Sequence, residues 1–342
     1  MEQNTELLKK ALAGSLAIIE QDREREIISK RFGLEGEKET LEQIGEALSI
    51  TRERVRQLEK AILIRLRINA EEGTIQDLAA IEKIIIRNLS EMGRISKVPE
   101  LAQKIFGRPA TPQEEAGLVF IGDISHSLTL LEENDSFYTS IGIADYGTPE
   151  KIKERITEIV TIIKRNKTPM TLDQLDNMLN YEHPLYINAL ASSSKALATL
   201  NGLWGLAKWP TVNPRNIRDK IFIILQSENK PMHFNDIAKA ISESKFQRKN
   251  VTIQAIHNEL IKDDRFVLIG RGIYALDTWG YKSGTVSEII CAVLKEAGKP
   301  LTREEIVKQV LRARKVKETT ILLNLQDKTL FKKVDKNLFT LA

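Results

Sequence analysis

A single cysteine, Cys291, among 342 residues excludes an intramolecular disulfide and a zinc site built on cysteines. It lies in the apolar helical pattern VSEIICAVL, which predicts a buried structural thiol. Histidine is almost as scarce. His126, His183, His233 and His257 stand apart, none with an acidic or cysteine partner at metal-ligand spacing. The chain has no phosphate-cradling Walker string and no dinucleotide fingerprint, and Gly33 and Gly36 read as a loop between helices. Ser192, Ser193 and Ser194 have no nearby histidine to activate a nucleophile. No apolar run approaches the roughly eighteen residues that a membrane helix takes. The opening MEQNTELLKK lacks the charged-then-apolar form of a secretory signal. These absences predict a cytoplasmic protein that is not an enzyme, with no cofactor, metal, membrane or small-molecule ligand.

What the chain does have is charge, unevenly placed. It is 42% hydrophobic and 29% charged, a globular composition, and its length predicts two or more domains. Residues 1–80 carry net −3 and residues 81–148 net −4. Residues 149–213 are +2, 214–280 are +3 and 281–342 are +6. A second, local concentration sits at residues 51–67, where six Arg or Lys against two Glu give net +4. Two regions are thereby marked for nucleic acid.

The stretch TLEQIGEALSITRERVRQLEKAILIRLR, residues 40–67, organises the first part of the chain. Leu41, Ile44 and Leu48 put an apolar stripe on one helix. A tight turn follows through Ser49 and Ile50, with Gly45 small enough for the two helices to cross closely. Thr51 stands at the N-cap position of a second helix, whose Val55, Leu58, Ile62 and Leu66 face inward. The opposite face presents Arg52, Glu53, Arg56 and Gln57. Arg can fork onto guanine, Gln onto adenine, and Glu can accept from cytosine, so this face suits the major groove of DNA. An amphipathic helix with a charged outer face is also read as simply solvated, and the residues alone leave both readings open.

TLEQIGEALSITRERVRQLE resembles region 4 of bacterial sigma-70-type factors, and DREREIISKRFGLEGEKE at 22–39 looks like the preceding half of that region. The likeness covers roughly residues 5–68. It implies recognition of a promoter −35 element, with Arg52, Glu53, Arg56 and Gln57 as base readers. It further implies backbone phosphate contacts from Arg31, Thr40, Leu41 and Arg54, Leu41 through its main-chain N–H. Ala61 and Ile64 depart from the family, which usually has basic residues there, and this predicts weaker phosphate contact at the helix's far end. Leu7, Leu8, Leu12, Leu16 and Ile19 form a first helix expected to complete the helix-turn-helix core. About 20 residues precede the region, too few for the aromatic-rich domain that melts the −10 element, so an incomplete sigma factor is expected.

Past the break NAEEGT at 69–74, an order of elements recurs with a period of about 65 residues. In 214–280 three helices are followed by two β-runs around Gly270-Arg271-Gly272. Residues 281–342 repeat this, aligning the Lys-Pro pairs at 299–300 and 230–231 and placing a turn at Asp335-Lys336-Asn337. Residues 149–213 repeat it with Asn201-Gly202 at the hairpin tip, and 81–148 as a more diverged copy. DDRFVLIGRGIYALDTWG and TLNGLWGLAKW are similar to the wing of HARE-type helix-turn-helix domains. That module occurs in the delta subunit of bacterial RNA polymerase, in some restriction enzymes and in chromatin proteins. Trp204, Trp209, Tyr274 and Trp279 are expected as core or wing anchors rather than stacking platforms.

The fold class expected is therefore mainly α: a helix-turn-helix over 1–70, then three or four tandem winged-helix modules. These are 81–148, 149–213, 214–280 and 281–342. The last is basic, and KQVLRARKVK supplies a secondary nucleic-acid patch of Lys308, Arg312, Arg314, Lys315 and Lys317. Lys245, Arg248 and Lys249 are a smaller one. The function expected is bacterial transcription regulation on double-stranded DNA, with RNA polymerase core as a further partner. The alternative is a delta-like polymerase accessory subunit that presents Leu12, Leu16 and Ile28. The specificity part of a restriction system is more remote.

Overall fold

The computed structural model describes residues 2–179, 183–244, 246, 250–335 and 337–342. It is mainly helical and opens with four helices, α1 (Glu2–Ala17), α2 (Asp22–Phe32), α3 (Leu41–Ala47) and α4 (Arg52–Glu71). One order of elements then occurs four times: helix, short strand, helix, helix, hairpin. The first repeat is α5 (Leu78–Met92), β1 (Ile95–Lys97), α6 (Val98–Phe106), α7 (Pro112–Ile124), β2 (Leu128–Leu131) and β3 (Ser140–Ile143). The second is α8 (Pro149–Asn166), β4 (Met170–Thr171), α9 (Leu172–Leu179), α10 (Pro184–Ser192), β5 (Leu197–Leu200) and β6 (Leu203–Leu206). The third is α11 (Ile217–Glu228), β7 (Met232–His233), α12 (Phe234–Glu243), α13 (Ile253–Lys262), β8 (Phe266–Gly270) and β9 (Ile273–Leu276). The fourth is α14 (Val286–Ala297), β10 (Leu301–Thr302), α15 (Arg303–Ala313), α16 (Glu318–Asn324), β11 (Phe331–Asp335) and β12 (Leu338–Leu341). In every repeat the last strand lies in the middle of a three-stranded antiparallel sheet, for instance β1-β3-β2 and β10-β12-β11.

The short first strands carry no periodic signal, because two or three residues are too few to show one. Their local cue is proline. Pro169, Pro231 and Pro300 immediately precede β4, β7 and β10, and X-Pro biases the chain toward extended backbone. The β5–β6 tip is as its sequence demands: Asn201 and Gly202 have φ of 51° and 79°, the left-handed pair of a type I′ turn. Lys336, part of the turn expected in the fourth repeat, lies outside the described residues, as do Lys245, Arg248 and Lys249.

The chain divides into two compact units, Met1–Lys208 and Trp209–Ala342. In the first unit, α1 does not complete the helix-turn-helix. Its Leu8 and Ala11 are buried with Ile81, Ile85, Leu101, Leu118 and Ile121 of the first repeat. Gly117 on α7 makes that approach possible, since a Cβ there would lie 2.9 Å from Leu12 Cδ1. The far half of α4 enters the same core through Ile62 and Leu66. A small separate core of Ile27, Ile44 and Val55 holds α2, α3 and the start of α4 together.

Glu114 fastens α1 and α7. Its carboxylate accepts from Arg108 Nη2 at 2.6 Å, Arg108 Nη1 at 2.8 Å, Thr111 N at 2.8 Å and the Thr5 hydroxyl at 3.1 Å. The Arg108 bonds foremost, then those from Thr111 and Thr5, outweigh burial and hold its pKa down at about 2. A folded-state value below the ordinary 4.5 contributes stability that is present above about pH 4.5 and is lost as pH falls toward about 2. Glu114→Gln is expected to cost about 2 kcal/mol at pH 7. It should also flatten the acid side of the stability profile between those pH values, measured by urea unfolding.

In the second unit, Ile289, Ile290, Leu294, Ile306, Val310 and Phe331 form the core of the fourth repeat. Cys291 is half-buried at its margin rather than fully buried. Burial first, and the Glu288 charge second, raise its thiol pKa. Trp204 and Tyr274 are buried, and Trp279 packs on the β8–β9 hairpin, in keeping with anchoring roles.

Candidate nucleic-acid interface

Three local devices fix the geometry of α3 and α4. Thr40 caps α3 with a reciprocal box: its hydroxyl accepts from Gln43 N, and Gln43 Oε1 accepts from Thr40 N at 2.8 Å. The turn closes with Ile50 N donating to Gly45 O at 2.9 Å, with Ser49 at φ 55°. Gly45 abuts this turn rather than the helix crossing, as a Cβ there would meet Ile50 O at 2.8 Å. Thr51 then caps α4, its hydroxyl accepting from Arg54 N at 3.2 Å. Burial of Val55, Ile62 and Leu66 sets the rotation of α4, so the opposite face is determined.

That face carries Arg52, Glu53, Arg54, Arg56 and Gln57, all exposed. Arg54, Arg56 and Gln57 are joined in one hydrogen-bond network with Glu53. Arg56 donates to both Glu53 oxygens, Nε to Oε2 at 2.9 Å and Nη2 to Oε1 at 2.7 Å. Gln57 Nε2 also donates to Glu53 Oε1 at 3.4 Å, and Arg54 Nη1 to Gln57 Oε1 at 3.4 Å. Arg52 lies 3.9 Å from Glu42 of α3. The Arg56 bonds lower the Glu53 carboxyl pKa, and Glu53 in turn raises that of Arg56. Such exposed pairs are weak in water. A base edge or phosphate can therefore replace them.

The other residues expected at phosphates are placed unequally. Arg54 is exposed on α4. Leu41 is the first residue of α3, with its side chain on the small core and its N–H at the helix start. The Thr40 hydroxyl is engaged as the cap. Arg31 is half-buried and its Nε donates to Glu59 at 2.9 Å, tying α2 to α4. Toward the far end of α4, Arg65 pairs with Glu24, and Arg67 bonds the Asp123 carboxylate at 2.6 Å and main-chain O at 2.9 Å. Two of the six cations on α4 therefore fasten the helix to the protein, which its sequence alone did not show. Ala61, Ile64 and Ile68 are exposed and apolar between them.

In the secondary patch, Lys308, Arg312, Lys315 and Lys317 are exposed. Arg314 is withdrawn: its Nη1 donates to Gly284 O, its Nε is buried without a partner, and burial lowers its pKa. Lys332 and Lys333 on β11 are exposed cations that the sequence reading passed over. Their adjacency in a net-positive module was the available signal. Among the described residues no cluster of His, Cys, Asp or Glu could hold a metal, and no helix is long and apolar enough to cross a membrane.

Comparison with known proteins bears on one part of this chain. Residues 21–67 match the family described as sigma-70, region 4. The RNA polymerase sigma factor SigA1 of Synechococcus elongatus is 44% identical over 62 residues, 18% of this chain and 15% of that protein. The chain thus corresponds to about 15% of the length of this relative. The crystal structure of a bacterial selenocysteine-specific elongation factor aligns over 81% of this chain and 40% of its own, at 13% identity. Its TM-score of 0.22 is too low to imply a shared fold. The segment matched to the family is the one that builds the capped α3–turn–α4 face: residues 21–67 are a sigma-70 region 4 domain, a DNA-binding helix-turn-helix of the kind found in sigma factors.

Proposed function

We propose that this chain is a non-enzymatic, cytoplasmic regulator of transcription that reads a −35-like element in the major groove of duplex DNA. Arg52, Glu53, Arg56 and Gln57 meet base edges, and Arg54 with the N–H of Leu41 meets phosphates. The four repeats, with a strand–helix–helix–hairpin order after each first helix, are winged-helix modules of HARE type that grip DNA or dock RNA polymerase.

The observation that carries this reading is the exposed Arg52–Gln57 row on a helix whose cap, turn and buried face fix its orientation. The accessory-subunit alternative relied on Leu12, Leu16 and Ile28 as a docking surface. Ile28 is buried, and Leu12 and Leu16 pack against the core shared with the first repeat, which favours the DNA reading.

The test is fluorescence anisotropy of the full chain on a −35-like duplex and a scrambled duplex across a salt series. At least a ~10-fold preference for the first is expected, since one good bidentate pair is worth about 1–3 kcal/mol. Equal affinity for the two would overturn the reading.

A further inference from the structure

The four hairpins are not equally available. In the first repeat, the β2–β3 connection is covered by the second: Tyr138 N donates to Ser193 O at 2.9 Å and Lys195 N to Ser136 O at 2.8 Å. In the third repeat, the β8–β9 hairpin is covered by the fourth. Lys315 N donates to Ile269 O at 2.9 Å, and a Cβ on Gly270 would lie 2.9 Å from Lys315 O. Among the described residues, the interstrand and main-chain bonds of β5–β6 and β11–β12 stay within their own repeats. Of these two, residues 197–206 of β5–β6 contain no charged side chain, while β11 carries Lys332 and Lys333. One hairpin is thus both uncovered and basic.

Several cations of the fourth repeat also form no ion pair among the described residues. Among the described residues Lys282 pairs with Glu296 at 3.0 Å, but Lys308, Lys317, Lys328, Lys332 and Lys333 have no ion pair. Three acids of this repeat are engaged in caps and turns, while Glu304 and Glu318 stay exposed near Lys308 and Lys317 in the chain, without an ion pair among the described residues. Glu288 caps α14 through Thr285 N at 2.6 Å, and Glu305 caps α15 through Thr302 N at 2.8 Å. Asp327 accepts from the Thr329 hydroxyl at 2.6 Å. Lys317, beside the exposed Glu318, precedes α16, and Lys328, Lys332 and Lys333 follow it, so exposed ammonium groups stand at both ends of this helix. No exposed aromatic accompanies them: Phe331 is buried and Phe339 is half-buried. Single strands are held largely by base stacking on aromatic rings, whereas sequence-independent grip on a duplex backbone rests mainly on cations.

We propose that the fourth repeat is a second contact to duplex DNA, indifferent to sequence, made by Lys332 and Lys333 of the β11–β12 hairpin with Lys308 and Lys317. This deepens the reading above, on which it rests, by naming the repeat that grips the backbone and the hairpins that do not. The full chain carrying Lys308→Gln, Lys317→Gln, Lys332→Gln and Lys333→Gln is compared with wild type on the scrambled duplex across a salt series. A control carries Lys9→Gln, Lys10→Gln, Lys83→Gln and Lys164→Gln, four exposed lysines of the first unit. The first variant is expected to bind at least ~10-fold more weakly near 0.1 M salt, and its log–log salt slope to fall by about 2–4, at roughly 0.9 for each phosphate no longer neutralised. The control should do neither.

Arg56→Ala/Gln57→Ala, run in parallel, separates the two readings. If wild type shows no sequence preference yet the four-lysine variant loses slope, the −35 reading fails and the backbone grip stands. If the four-lysine variant matches the control, the grip is overturned. Loss of binding to phosphatidylglycerol vesicles with DNA binding intact would overturn it too, in favour of a membrane surface.

Discussion

Replacing Arg56 and Gln57 together by alanine is expected to remove about 2–6 kcal/mol of discrimination between a −35-like and a scrambled duplex, two bidentate contacts at about 1–3 kcal/mol each. Both side chains are exposed, and among the described residues their side-chain hydrogen bonds go to Glu53 and Arg54. Folding stability should therefore change little, within the range of ordinary surface substitutions. Nonspecific affinity should fall less than discrimination does, because Arg52, Arg54 and Lys60 remain exposed on α4. Removing Arg56 also leaves Glu53 facing the groove without its main counter-ion, which adds repulsion at phosphates. Competition binding, with unfolding curves for both proteins, checks the result. Unchanged discrimination would remove Arg56 and Gln57 from the reading face.

The second large effect is expected at Gly93, which ends α5 with φ 94°, a conformation that L side chains rarely adopt. A Cβ there would lie 2.5 Å from Leu185 O and 2.9 Å from Ala189 Cβ, both on α10 of the second repeat. The carbonyl belongs to a helix and cannot step aside. The adjoining backbone is equally committed, with Arg94 N donating to Leu89 O at 2.7 Å and Arg94 O accepting from Ile143 N at 3.0 Å. Gly93→Ala is accordingly expected to destabilise the first unit by about 3–5 kcal/mol, combining overpacking with backbone strain. Gly36→Ala is the control, since nothing lies within 4 Å of its Cβ position. Hydrogen exchange should show α5 and α10 opening together in the first variant and neither in the second. Protection of α10 that survives Gly93→Ala would mean that the first two repeats do not form one packed pair.

The legible and illegible parts of this protein divide by sequence distance. Thr51 as a cap, the inward stripe Val55–Ile62–Leu66, the outward row Arg52–Gln57 and the Asn201-Gly202 turn are each written in a few to fifteen consecutive residues, and sequence alone determined them. The cap at Thr40, expected only as a phosphate contact, came from the structure. The recurrence of three helices and a hairpin was legible too, because helix periodicity and turn residues are local properties, whereas the short strand after each first helix was not. The tertiary structure decided what those signals leave free. Amphipathicity gave α1 an apolar face but not its partner, and the small residue Gly117 on α7 makes the first repeat the better fit. Charge behaved in the same way. Arg65 and Arg67 raise the net charge of α4 on paper, yet they meet acids 41 and 56 positions away and act as ties. Arg314 looked like part of a basic patch and is turned into a carbonyl cage. Conversely, Lys332 and Lys333 stand out only once the other hairpins are seen to be covered or uncharged. An ion pair forms wherever folding brings two groups within a few ångströms, so a cation's availability is a property of the fold and not of its neighbours in sequence.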